Sequence, residues 1–76
     1  MTLDELTLDR PAAIVGVGGP VPLAQRLLSM GFLPGTPVRI VQVAPFGDPI
    51  TIELDGWRVS LRRSEASLLE VKEDAR

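Results

Sequence analysis

Ile50-Thr51-Ile52-Glu53-Leu54, Asp55-Gly56 and Trp57-Arg58-Val59-Ser60-Leu61 form the stretch whose reading decides the fold. Two five-residue runs alternate apolar and polar side chains on either side of a two-residue turn. Asp-Gly suits a type I′ turn, in which both central residues take positive φ, and Gly56 does so with no Cβ to clash. The turn sets the pairing. Leu54 faces Trp57, Glu53 faces Arg58, Ile52 faces Val59, Thr51 faces Ser60 and Ile50 faces Leu61, so every apolar side chain falls on one face. The Glu53 and Arg58 pair on the other face contributes about 0.2 to 1 kcal/mol, against roughly 1.5 to 3 kcal/mol for each large apolar side chain buried. Burial therefore dominates, and the register assigns Trp57 to the core. A lone hairpin is marginal in water, so further strands must cover its apolar face.

The chain has 76 residues, 45% of them hydrophobic, which allows one small core and reads as a single domain over 1–76. There is no Cys and no His. Disulfide frameworks and thiolate metal sites are thereby excluded, and the commonest general base and transition-metal ligand is missing. An enzyme is not expected, nor a cofactor, nor a metal site. A net charge of −2 argues against binding along a phosphate backbone, so no nucleic acid partner is expected. No apolar run approaches the ~20 residues of a membrane span, and Met1-Thr2-Leu3-Asp4-Glu5 does not resemble a leader, which points to a cytoplasmic protein without membrane insertion.

Outward from the hairpin, Pro11 to Val17 reads as a first strand ended by Gly18-Gly19-Pro20. Leu3 and Leu6 before it cover an open end of the core. A helix follows, with Pro22 in its first turn, good formers from Leu23 to Met30 and Gly31 as its C-terminal cap. At about 100° per residue, Leu23, Ala24, Leu27, Leu28 and Met30 span an apolar arc of about 160°. Core is the favoured reading for its flanks, Leu28 and Met30, although so wide an arc can leave them partly exposed. Pro34-Gly35 fits a type II turn, Val38 to Val43 is a β-branched strand, and Pro45-Phe46-Gly47-Asp48-Pro49 breaks it. Ser64 reads as the N-cap of a short helical turn, Leu68 to Val71 as the last strand, and Lys72 to Arg76 as a fraying polar tail. These elements make a mainly β fold: a small SH3-like barrel of about five antiparallel strands, with one short helix between the first two strands and a helical turn before the last. An OB-fold is the nearest competitor, but its helix comes later in the chain.

Candidate chemistry is sparse. Gly16-Val17-Gly18-Gly19 lacks the Gly-Lys-Ser/Thr of a phosphate loop and reads as a turn. Asp4, Glu5 and Asp9 have no calcium-loop spacing and read as solvated acids. Arg39, Arg58, Arg62 and Arg63 are diluted by Glu53 and Glu65 into a mixed surface.

Three segments nevertheless fall into a recognisable order: Leu27-Leu28-Ser29-Met30-Gly31-Phe32-Leu33-Pro34-Gly35-Thr36-Pro37-Val38, then Ala44-Pro45-Phe46-Gly47-Asp48-Pro49-Ile50, then Leu61-Arg62-Arg63-Ser64-Glu65-Ala66. Together they resemble the FeoA family across roughly Leu3 to Val71. The resemblance implies an SH3-like accessory of ferrous iron uptake that acts with FeoB, a membrane transporter carrying a cytoplasmic GTPase part. With the wide apolar arc, it points to Leu28, Met30, Phe32 and Phe46 as partner-binding residues. The alternative is a metal-responsive or nucleic-acid-binding SH3-like module. An incompletely closed barrel also leaves a homo-oligomer open.

Overall fold

The hairpin forms with the register that the alternation dictates. In the computed structural model, which describes residues 1–74, β3 (Ile50–Leu54) and β4 (Trp57–Leu61) pair antiparallel, with Leu54 opposite Trp57 and Ile50 opposite Leu61. Asp55 and Gly56 both have positive φ, 48° and 86°, as the turn requires. Strand β2 (Pro37–Val43) adds to the other side of β3, with a bulge between Ile40 and Gln42. Strand β1 (Ala12–Val17) touches β2 only at Ala12↔Val38 and Ala13↔Pro37, and pairs at greater length with β5 (Leu69–Glu73). The order is β4-β3-β2-β1-β5, antiparallel throughout.

Both ends of this sheet supply the same core. Leu61 of β4 and Leu69 and Val71 of β5 cluster with Ile14, Ile40, Ile50 and Ile52, so the sheet curls round on itself into a small barrel. Leu3, on a single 3-10 turn (Leu3–Glu5), and Leu6 are buried in that cluster, as expected for side chains covering an open end. One helix, α1 (Val21–Ser29), follows β1, and a four-residue helix, α2 (Arg63–Ala66), precedes β5. Helix α1 stops in a Schellman arrangement. Met30 takes the C-cap and Gly31 follows at φ +108°, which a residue with a Cβ rarely adopts. The Gly31 N–H donates to Leu28 O at 3.0 Å and the Phe32 N–H to Leu27 O at 3.3 Å. The apolar contact that accompanies this motif uses Leu27 and Phe32, both buried.

Four expectations need correction. Trp57 is 76% exposed, not core. It lies on the apolar face but on the outermost strand, beside the turn, where the described residues provide no further layer to cover it. Ser64 is not a helix N-cap. The cap lies two residues earlier, at Arg62, because Glu65 then reaches back to accept the Arg62 N–H at 3.0 Å and Asp48 accepts the N–H of Arg63. Lys72 and Glu73 do not fray. They pair with Ala13 and Ala12, and the Asp74 N–H donates to Pro11 O at 2.9 Å. The remainder of the expected tail, Ala75 and Arg76, lies outside the described residues. Finally, Glu53 forms its ion pair with Arg39 at 3.0 Å rather than with Arg58, although both stand directly opposite it, on β2 and on β4.

Two outcomes follow. Ile52→Val removes one buried methylene and costs about 1 kcal/mol, whereas Trp57→Ala changes stability by about 0.5 kcal/mol or less. Urea denaturation of the two variants checks this, and the reverse ranking would contradict the burial described. The second concerns Glu5, whose carboxylate accepts the Thr2 N–H at 2.8 Å and the Thr2 hydroxyl at 3.0 Å. These bonds hold its pKa below the usual glutamate value, the backbone bond most strongly. A carboxylate whose pKa is depressed on folding stabilises the fold above its unfolded pKa, and loses that effect as pH falls through the folded value. Wild type should therefore exceed Glu5→Gln in urea midpoint at neutral pH, with the gap closing in acid. A gap that widens on acidification would contradict the assignment.

Candidate functional site

The most exposed large side chain sits on a loop that the rest of the molecule holds in place. Residues Ala44 to Pro49 close on themselves: the Gly47 N–H donates to Ala44 O at 2.7 Å and the Ala44 N–H to Pro49 O at 3.1 Å. Gly47 takes φ +89° at the corner. Phe46 beside it is 100% exposed. From the other side the loop is tied down by Arg63. The Arg63 N–H donates to Asp48 Oδ1 at 3.0 Å, its Nε donates to Gly47 O, and its Nη1 reaches Asp4 O at 3.1 Å. The planar guanidinium suits this task, because its fixed fork of donors can satisfy two carbonyls that diverge from one another. Asp48 meanwhile does for α2 what a local N-cap would do, from fifteen residues away.

Helix α1 joins this assembly through an ion pair, Arg26 Nη1 to Glu65 Oε2 at 3.5 Å, with Arg26 largely exposed. Such a pair orients more than it stabilises. Of the apolar arc, only Leu27 is buried. Leu28 is 37% exposed, and Met30 is partly buried against the core. Phe32 is fully buried and has no surface to offer a partner. It belongs to the core because the turn at Gly31 reverses the chain and drives the next side chain inward. Of the four residues singled out from sequence, the structure therefore leaves Leu28 and Phe46 exposed, Met30 half-exposed and Phe32 enclosed.

Sequence reasoning missed the apolar residues flanking these. Val21 and Leu23 on α1 and Leu33 beyond it are exposed as well. The signal was present in the width of the arc, since a helix resting on a small barrel buries only a narrow stripe. The basic residues do not form a patch: Arg39 pairs with Glu53, Arg26 with Glu65, and Arg63 is used internally. Among the described residues no three His, Cys, Asp or Glu side chains are arranged to hold a metal ion, and no helix is long and apolar enough to cross a membrane.

Residues 1–73 match the FeoA domain. The chain belongs to the FeoA family. It is 40% identical over 72 residues to the Fe(2+) transport protein A/Fe(2+) transporter FeoB fusion protein of Porphyromonas gingivalis, a match that covers 95% of this chain and 8% of that protein. The chain thus spans a small fraction of that relative's length. Among solved structures, the FeoA protein of Chlorobium tepidum superposes with a TM-score of 0.90 at 31% identity, covering 99% of this chain and 71% of that one. The FeoA of Stenotrophomonas maltophilia, solved in complex with zinc and described as a prokaryotic SH3 domain protein, gives a TM-score of 0.84 at 36% identity, covering 95% and 89%. The barrel is accordingly SH3-like. Two of the segments on which the resemblance rested, Ala44 to Ile50 and Leu61 to Ala66, meet in the structure at Arg63.

Arg63→Met keeps the aliphatic stem but leaves the Gly47 and Asp4 carbonyls without their donor, and should cost about 1 to 3 kcal/mol. Arg63→Lys should recover only part of this, because an ammonium is a point donor that cannot span both acceptors. Urea denaturation of both variants tests this, and a lysine variant as stable as wild type would show that the fork is not needed.

Proposed function

We propose that this chain is an accessory of ferrous iron uptake that binds the cytoplasmic side of a FeoB-type transporter and modulates its assembly or activity. The observation that carries the reading is the Porphyromonas gingivalis relative, in which a segment 40% identical to this chain belongs to the same polypeptide as a FeoB transporter. Covalent linkage raises the effective concentration of one module at the other, and so favours modules that work together. The geometry supplies a fitting contact. Phe46 stands out from a loop fastened at both ends, so little conformational freedom is lost when it enters an apolar pocket. Leu28 and Met30 on α1, with Val21 and Leu23, add apolar area, and Phe32 supports them from within the core.

Phe46→Asp and Leu28→Glu should each weaken binding to the purified transporter about tenfold or more, as expected for a central apolar contact, while the circular dichroism spectrum stays that of the folded protein. Undiminished binding by both variants would remove this surface from consideration. Failure of the wild-type chain to bind the transporter at all would overturn the function proposed.

A further inference from the structure

The two outer strands of the sheet are finished differently. At β5 the outer edge is occupied at its middle by the start of the described chain: Thr2 forms a bridge with Glu70, and the Val71 N–H donates to Met1 O at 2.8 Å. At β4 nothing comparable exists among the described residues. A two-residue hairpin closes on a hydrogen-bonded pair, so Trp57, Val59 and Leu61 turn their backbone groups toward β3. Arg58 and Ser60 therefore turn theirs outward. Both residues are exposed, and among the described residues no backbone bond crosses from either to another element. The open edge also carries Trp57, an apolar side chain on the apolar face that this chain leaves uncovered.

We propose that β4 pairs with β4 of a second copy of this chain, antiparallel about a two-fold axis at Val59. Charge selects the register. An axis at Arg58 would place Arg58 opposite its own copy, and an axis at Ser60 would place Arg58 opposite Arg62, both like-charge pairs directly across strands. An axis at Val59 places Arg58 opposite Ser60 twice and Trp57 opposite Leu61 twice, with no like charges facing. In that register the four outward groups of one strand meet their complements. Because the β5 edge is already occupied, β4 cannot add head-to-tail along a growing sheet, and the pairing closes at two copies. An edge contact of this size is small, which places the dissociation constant in the micromolar to millimolar range.

Sedimentation of the full chain over that concentration range should show a reversible monomer–dimer equilibrium. Ser60→Glu places a carboxylate opposite Arg58 of the other copy at two symmetric points and should tighten the dimer about fivefold; Ser60→Arg should weaken it by about as much. Ser60→Pro removes an outward N–H, which an edge strand tolerates, and should abolish the dimer. Should the proline variant fail to fold, the glutamate and arginine variants still decide the matter, since both sit on an exposed position. A monomer at millimolar concentration overturns the proposal, as does a dimer indifferent to both charged variants or assembly beyond two copies. Protection of the Arg58 and Ser60 amides from hydrogen exchange only on adding the transporter would overturn it in favour of a foreign strand. None of these outcomes bears on whether the Phe46 and Leu28 surface binds the transporter.

Discussion

The curled sheet depends on Arg63. Strands β4 and β5 lie at opposite ends of the strand order and share no ladder, yet both must bring side chains to one core. The chain crosses between them through α2, which at four residues is too short to hold its shape by its own hydrogen bonds. Arg63 supplies what the segment lacks. Its backbone N–H is capped by Asp48, and its guanidinium gathers Gly47 from the loop and Asp4 from the first turn. Three segments distant in sequence are thereby fastened at one point, and Leu3 and Ala66 are buried close to it. The carbonyls concerned would otherwise need water at the margin of an apolar core, so one well-placed cation matters more here than several pairs on the open surface.

The same fastening explains why the loop that presents Phe46 can act as a rigid projection. In small barrels the sheet positions and the connections recognise. Here the connections carry several of the uncovered apolar side chains: Phe46 between β2 and β3, and Val21, Leu23, Leu28 and Leu33 on and after α1. A FeoA domain of this size has too little interior to enclose all of them, and apolar surface is left over.

Sheet edges pose the complementary problem. An unpaired edge invites association, and the chain closes one by laying Thr2 against β5 while leaving the other, β4, with only two residues whose backbone groups face outward. The short length of β4 and the exposed Arg58 limit what can pair there, which favours a defined partner over aggregation.

Much of this was legible in the sequence, because it follows from local chemistry. The period of two in Ile50 to Leu54 and Trp57 to Leu61, with the φ demands of Asp55-Gly56, leaves one register that puts apolar side chains on one face, and that register forms. Gly31 after a helical run, and Leu3 and Leu6 ahead of the first strand, were legible for similar reasons: capping and amphipathic burial act over a few residues. Phe46 could be picked out as an apolar residue on a loop, but not its full exposure. Tertiary structure alone decided that Trp57 is uncovered while Phe32 is enclosed, since periodicity assigns a face and only the neighbouring elements determine whether that face is covered. It also decided that Arg63 is an internal tie rather than a surface charge, and that Asp48 rather than Ser64 caps α2. Those roles arise from contacts between residues fifteen to fifty-nine positions apart, and no local rule of sequence fixes which distant carbonyl will lie within reach of a side chain.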